Sequence, residues 1–328
     1  MPTNLPPDYF EVERRFRAAE STEDKIALLE EMLGTIPKHK GTDHLRADLR
    51  RKLSRLKQET QAKKGASRHA SSYHIAQEGA GQAVLTGPTN VGKSALLRAL
   101  TNAAPEVSDA PYTTWEPMPG MMPVDDIQIQ LVDTPPLNPD FVEPGLFDLM
   151  RRADLVLLVV DVQTDPLRQI ADAIALIEEH HIAPHHREGC YPEDGRMVYK
   201  PFLVLVNKCD DEAHDEDYAI LRELLEEPWS LLPISAASGR NLHRLKELVF
   251  QLLDIIRVYS KAPGKDADRD APFVLPKGSK VEQLASRIHR DFYKHLKQAR
   301  VWGSTEFGGQ LVGRDYVLQD RDVVELRM

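Results

Sequence analysis

GPTNVGKS, residues 87–94, lies between an apolar run at 82–86 and a stretch of helical spacing at 95–102. Gly87, four residues, then Gly92-Lys93-Ser94 is the Walker A spacing, and a strand–loop–helix context is what a phosphate cradle requires. The glycines let backbone N–H groups curl toward a β-phosphate, and the helix N-terminus adds partial positive charge. Gly87, Pro88, Thr89, Asn90, Val91, Gly92, Lys93, Ser94 and Ala95 are the expected phosphate contacts. Lys93 would pair with the β/γ-phosphates, and the Ser94 hydroxyl would ligate Mg²⁺.

Downstream residues decide which nucleotide fits. An unbroken apolar run at 202–206 ends in Asn207-Lys208-Cys209-Asp210. A carboxylate there can accept hydrogen bonds from the N1–H and exocyclic amine of guanine. Adenine lacks both donors and would leave the carboxylate desolvated and unpaired. Asn207 and Lys208 would fix the loop and cover the base. Another short strand ends in Ile234-Ser235-Ala236-Ala237, whose backbone N–H groups would meet guanine O6. Between the two loops, Asp133 stands at the tip of a strand at 127–132, suited to hold Mg²⁺ through water. Four strand-end elements in this order make a guanine-nucleotide site for GTP or GDP with Mg²⁺.

With 328 residues, 28% charged and 41% hydrophobic, the chain is ordinary globular material with room for two or three domains. The longest aliphatic run, 155–160, is six residues, so no segment reads as a membrane span. The opening MPTNLPPDYF lacks the basic-then-apolar pattern of a secretory signal. Cys190 and Cys209, far apart in sequence, suit a reducing, cytoplasmic setting better than a disulfide. The net charge of −9 is uneven: residues 36–68 carry +8, residues 271–328 carry +3, and the rest about −20. Such an acidic centre argues against duplex DNA, while the basic ends permit a phosphate-rich partner. Two solvated helix faces account for the same charge.

Helical spacing over 8–33 stops at Gly34 and Pro37. A second helix starts near Thr42 or Asp43, with Leu45, Leu49, Leu53 and Leu56 as its seam and Arg46, Arg50, Arg51, Lys52, Arg55 and Lys57 as its polar face. Residues 1–68 thus read as an α-helical hairpin, and 62–81 as a Ser/Gly/Ala/Gln-rich linker. From 79 to 260, buried strands alternate with helices, which predicts an α/β domain with a mostly parallel sheet and helices on both faces. Ligands in such folds bind beyond the C-terminal strand ends, where all four motifs fall. Residues 240–257 read as its last helix, and KAPGKDADRDA at 261–271 as a linker. The tail 271–328 reads as a small α+β domain. Its expected strands lie at 273–275, 311–312, 316–318 and 323–326, and its helix carries Leu284, Ile288 and Phe292 behind an N-cap at Ser279.

With these regions in view, the chain resembles the Obg-related GTPases, and within them the developmentally regulated GTP-binding protein (DRG) branch. The likeness is carried by LPPDYFEVERRFRAA at 5–19, PKHKGTDHLRADLRRKLSRLK at 37–57, GPTNVGKSALL at 87–97 and PYTTWEPMPGMM at 111–122. The tail, with PFVLPKGSKVEQLASRIHRDF and VGRDYVLQDRDVVELR, resembles a TGS domain, a ubiquitin-like β-grasp module. The resemblance implies GTP hydrolysis that is slow when the protein is alone. It makes Thr114 the switch I threonine that reaches Mg²⁺ and the γ-phosphate, with Thr113 the adjacent alternative. Asn90 matches an asparagine that many related GTPases use to help bind a monovalent cation, often K⁺, so the implied catalytic set is Lys93, Thr114 and Asn90. The resemblance also implies association with ribosomes or translation, and the basic hairpin and TGS domain are the expected contacts with the ribosome or structured RNA.

Two departures stand out. The usual third motif, Asp-x-x-Gly, offers a glycine N–H to the γ-phosphate; here DTPPL places Pro136, which has no N–H. Leu137 comes next, in place of a water-orienting glutamine. An alternative reading is therefore a nucleotide-gated scaffold with negligible hydrolysis, whose TGS domain binds a regulatory nucleotide or a protein. Where DRG proteins carry an inserted domain, only 180–199 remains. His180, His181, His185, His186 and Cys190 in that stretch read as a solvated loop or, alternatively, a zinc site. Phe292, Tyr293 and Trp302 near Lys294, Lys297 and Arg300 read as core packing or as an RNA-stacking platform. Cys209 reads as a small filler.

Overall fold

The computed structural model divides into two compact units, residues 1–72 and 73–328. It describes residues 12, 14–16, 28–29, 31–32 and 35 of the first, and 73–101, 116–138, 143–192 and 195–327 of the second. In the first unit these residues are helical; Val12, Leu28, Leu29 and Met32 are buried, and Arg15 pairs with Glu31 at 3.1 Å. The expected leucine seam and basic face between Leu45 and Lys57, the helix stops at Gly34 and Pro37, and the threonines Thr113 and Thr114 all lie outside the described residues.

The second unit opens with β1 (Gln82–Thr86), α1 (Lys93–Leu100), β2 (Met118–Val124) and β3 (Ile127–Asp133). Next come α2 (Pro144–Arg152), β4 (Leu155–Asp161), α3 (Pro166–Glu179), β5 (Ile182–Pro184), β6 (Val198–Lys200), β7 (Phe202–Asn207), α4 (Ala213–Leu224), β8 (Leu231–Pro233) and α5 (Leu242–Leu252). Six strands form one sheet in the order β2-β3-β1-β4-β7-β8, parallel except for the β2–β3 hairpin. Strands β4 and β7 are buried along their whole length. Apolar side chains point to both faces of such strands, so both faces must be covered, and the sequence reads as a continuous apolar run. Helices α1 and α5 cover one face around Leu97, Leu131 and Leu245, and α2 and α3 cover the other around Phe147, Val156 and Ile174. The short β5–β6 pair forms a separate parallel sheet after α3.

The chain before β1 is not a free linker where it is described. Tyr73 is buried against Gly145, and Ala80 N–H donates to Gln128 O at 2.7 Å.

The C-terminal module starts earlier than composition suggests. Strand β9 (Ile255–Ser260) already belongs to a second sheet, completed by β10 (Phe273–Pro276), β11 (Gln298–Trp302), β12 (Gln310–Val312) and β13 (Asp322–Arg327) in the order β10-β9-β13-β11-β12. Helix α6 (Val281–Ile288) supplies Val281, Leu284 and Ala285 to its core, and α7 (Arg290–His295) comes after it. The expected helix over 240–257 ends at Leu252 instead. Asp254 adopts φ 50°, which breaks the helix, and the β-branched run Ile255-Ile256 continues as strand. Residues 261–271 are then a loop inside this module, closed by Lys261 N–H donating to Val324 O at 2.9 Å. Lys280, not Ser279, caps α6: its N–H donates to Gln283 Oε1 at 2.7 Å, while Ser279 is buried in the preceding turn. The expected strand at 316–318 makes only a bridge, Val317 to Lys280.

The two sheets are joined by a buried guanidinium. Arg257 on β9 reaches Asp125 and Asp126 in the β2–β3 turn, each at 2.9 Å, and grips Asp320 with Nε at 3.1 Å and NH2 at 2.7 Å. Tyr259 O–H donates to Asp126, and Arg321 to Asp125 at 2.9 Å.

Candidate functional site: a phosphate loop and a base loop at the strand ends

The parallel strands β1, β3, β4, β7 and β8 all end on one edge of the sheet, and the predicted site residues gather there. After β1 the chain turns through Gly87 at φ 141°, where a Cβ would stand 2.2 Å from Val159 O on β4. Gly92 at φ 96° is also constrained, since its Cβ would meet Asn207 Nδ2 at 2.3 Å. Asn90, exposed at the loop tip, takes φ 63°, a left-handed conformation that asparagine tolerates. Thr89 is exposed beside it, Pro88 half-buried and Val91 buried. Lys93 folds back over the loop, donating to Gly87 O at 3.0 Å and Pro88 O at 2.7 Å. Burial lowers its pKa to about 8, partly opposed by Asp133. A buried cation capping carbonyl oxygens is poised for an anion that supplies better partners.

Ser94, followed by half-buried Ala95, donates from Oγ to Asp133 Oδ2 at 2.5 Å. Asp133 Oδ1 is buried and has no hydrogen-bond partner. Burial raises the Asp133 pKa, against the Ser94 hydrogen bond and the Lys93 charge. A hydroxyl and a dry carboxylate with one unsatisfied oxygen form a hard-oxygen pair that fits Mg²⁺, which takes one or two such protein oxygens and fills its octahedron with water and phosphate.

The base loop is tied to the phosphate loop by one side chain. Asn207 donates from Nδ2 to Val91 O at 2.7 Å and accepts at Oδ1 from Ala236 N–H at 3.0 Å. Lys208, at φ 65°, is held by Asp161 Oδ2 at 2.5 Å. Asp210 is exposed and accepts from Ser235 Oγ at 2.5 Å, while Ser238 N–H donates to that hydroxyl at 2.9 Å. Ala237 is exposed alongside. Cys209 is fully buried, its thiol 3.3 Å from Val206 O and its pKa pushed up to about 11 by burial, so it is a filler rather than a thiolate.

Two residues that the motifs do not name complete this edge. Asp161 ends β4, fixing Lys208 with one oxygen and Gln163 N–H with the other at 2.9 Å. Its signal was an acid closing the apolar run LVLLVVD. Arg240 donates to Cys209 O at 3.2 Å and to Asp215 at 2.5 Å, bracing the base loop from behind. Nothing local in the sequence marks it.

Beyond Asp133, Thr134 donates from both N–H and Oγ1 to Leu85 O. Leu137 is buried, and its N–H donates to Gly87 O at 3.0 Å. The residue after Pro136 thus fastens the segment to the phosphate loop's own carbonyl. The histidines of 180–190 are spread out: His180 stacks on Phe147, and His186 meets Glu227 at 3.0 Å. Among the described residues no group of three or more His, Cys, Asp or Glu is disposed to hold a metal ion. Phe292 packs on the C-terminal core, Tyr293 is exposed under Arg314, and Trp302 lies under Lys261. None of the described helices is long and apolar enough to cross a membrane.

A phosphate loop, an acidic strand tip and an Asn-Lys-x-Asp loop on one edge of such a sheet define the class, a P-loop GTPase of α/β fold. The family described as "50S ribosome-binding GTPase" matches residues 82–188, and the TGS domain family matches 256–328. An uncharacterised GTP-binding protein of Methanocaldococcus jannaschii is 30% identical, with 93% of this chain and 92% of that protein aligned. Developmentally-regulated G-protein 1 of Arabidopsis thaliana is 27% identical over 92% of this chain and 90% of its own length. The chain belongs to the Obg-related, TGS-containing GTP-binding proteins of the DRG type. The Schizosaccharomyces pombe YchF GTPase shares the fold at TM-score 0.55 and 15% identity, covering 77% of this chain and 99% of that one.

Proposed function

We propose that this GTP-binding protein hydrolyses GTP to GDP and phosphate with Mg²⁺, as a K⁺-stimulated switch acting on the ribosome or its RNA in the cytoplasm. The observation that carries hydrolysis is the Ser94–Asp133 pair with its unsatisfied, buried Oδ1 beside Lys93. Ser94 and Asp133 would hold Mg²⁺, directly and through water, and Thr114 would join them from switch I. When bound, the ion would supply neutralisation of charge on the phosphates. Backbone N–H groups of Gly87 and of 89–95 cradle the β-phosphate, and Lys93 leaves its two carbonyls for the β/γ-oxygens. Asn90, exposed at the loop tip, would help hold K⁺. Asp210 selects guanine, Asn207 and Lys208 frame the base, and the amides of Ser235, Ala236 and Ala237 face O6. No side-chain general base is assigned.

Single-turnover hydrolysis by the full chain, alone and with ribosomes, tests this. Turnover is expected to be slow alone, faster in KCl than in NaCl at equal ionic strength, and lost in Asp133→Asn. Equal rates in both salts would reduce Asn90 to a loop residue. Nucleotide-dependent co-sedimentation with ribosomes that weakens on removing residues 1–68 is the expected result for the RNA-facing ends.

A second reading has its own observation. Pro136 cannot donate, and the next N–H, that of Leu137, is already given to Gly87 O. Single-turnover rates that stay at background even with ribosomes would point to a scaffold that binds GTP without appreciable turnover and presents its TGS domain to a regulatory nucleotide or protein.

A further inference from the structure

Of the seven large apolar side chains left exposed among the described residues, three, Leu167, Ile220 and Leu224, line one groove between α3 and α4. The groove measures about 740 Å³, with buried Leu221 in its floor. Ile220 and Leu224 are 55% and 57% exposed, and past Leu224 the half-buried Leu225 and Trp229 line an adjoining hollow. Contiguous exposed aliphatic side chains rimmed by polar ones mark a contact surface.

The charge around the groove specifies the occupant. From Asp210 to Glu227 the sequence carries nine Asp/Glu, one Arg and no Lys. Some of these acids are occupied, Asp215 by Arg240 and Glu227 by Arg187. Asp217, which lies in the groove lining with Asp165, has no ion-pair partner among the described residues, and neither has Glu216 or Glu223. An RNA backbone or an anionic membrane would be repelled here.

We propose that this groove receives a basic amphipathic helix of a partner protein. Its aliphatic residues, spaced i, i+4, i+7, would sit between Leu167, Ile220 and Leu224, and its Lys/Arg residues would meet Asp165 and Asp217. The groove wall includes Gln163, which contacts both Asp161 and the carbonyl of Lys208, so the occupant lies against the segment that fixes the base loop.

The test is selection of 16-residue peptides from a random display library on the full chain, counter-selected on the double variant Ile220→Gln, Leu224→Gln. Both side chains are more than half exposed, so this variant is expected to melt with the parent and to bind GDP equally well. Enriched peptides are expected to be basic with helical apolar spacing. By fluorescence anisotropy they should bind the parent saturably and lose at least about tenfold in affinity on the double variant. Asp217→Asn should weaken them by about threefold, as loss of one partly exposed ion pair would. Selected peptides that are neutral or acidic, or that bind parent and double variant alike, overturn the proposal. Self-association of the parent that the double variant abolishes also overturns it, in favour of a second copy of this chain.

Discussion

Arg257→Met would strip Asp125, Asp126 and Asp320 of the guanidinium they share while leaving much of its apolar stem. The Arg257 side chain is 5% exposed, whereas the three carboxylates are 58%, 25% and 32% exposed. Removing one partner of a fully buried pair costs about 3–5 kcal/mol, because the other charge is left stranded. Asp125 is mostly in water and adds little by itself. The remaining two are largely shielded, and the lost stacking of Arg257 on Phe250 at 4.6 Å adds a fraction more. The expected cost is about 2–4 kcal/mol, which for a unit of this size lowers the melting temperature by about 5–12 °C. Arg257→Lys keeps the charge but not the fork and should fall between. The pH dependence gives an independent check. The Arg257 hydrogen bond holds the Asp125 pKa below the ordinary carboxyl value; at Asp320, burial pushes upward but the bonds to Arg257 prevail and the net direction is down. Stabilisation from depressed carboxyl pKa values is fully present above the unfolded pKa and fades as pH falls toward the folded one. Calorimetric scans should therefore show a constant gap between parent and Arg257→Met from pH 7 to about 5, closing below about pH 4. A variant that melts within a degree of the parent at pH 7 would show that the three carboxylates do not depend on Arg257.

The nucleotide site carries further expected outcomes. Lys93 is held with a pKa lowered to about 8, so its charged form opposes folding below that pH, and nucleotide-free protein should gain stability relative to Lys93→Met as pH rises from about 8 toward 10.5. Because phosphates favour the ammonium, GDP affinity measured by calorimetry should fall above pH 8 in the parent; a flat profile would remove Lys93 from phosphate binding. Asp210→Asn, at an exposed position, should leave the melting curve unchanged but shift preference from guanosine to xanthosine nucleotides by at least about a hundredfold in competition assays. Gly87→Ala forces a Cβ to within 2.2 Å of Val159 O and should cost about 3 kcal/mol or more in denaturant unfolding, with GDP binding lost.

The strand ends were legible because each carries a local contradiction. An apolar run that stops at Asp133 or at Asn207-Lys208 puts polar groups at the buried strand ends, and Gly87 and Gly92 hold φ 141° and 96°, a backbone region that favours glycine, at points where a Cβ would also collide with a neighbour. The sheet was legible for a related reason, since continuous apolar strands between helices leave few other arrangements. The boundary of the C-terminal module was not legible. Leu242, Leu245, Leu248, Val249 and Leu252 set a helical rhythm, and Ile255-Ile256 prolongs its apolar content past the residue, Asp254, that ends it. No local rule separates an apolar helix turn from the first residues of an edge-proximal strand.

The residues missed share a physical character that the motif residues lack. Asp161, Arg240 and Arg257 serve other protein groups: Asp161 holds Lys208, Arg240 braces the carbonyl of Cys209, and Arg257 joins two sheets. A phosphate, a hard cation or a guanine edge presents one fixed geometry, so the side chains that meet it are restricted to a few types at set spacings. A carbonyl that needs a donor, or a lysine that needs an acid, can be satisfied by many residues at many sequence distances. Asp161 and Lys208 are 47 positions apart, and Arg257 and Asp125 are 132. At Leu137 such a contact within the protein occupies a motif position. Its amide is committed to Gly87 O, so this amide can turn to a γ-phosphate only by giving up a bond to the phosphate loop itself.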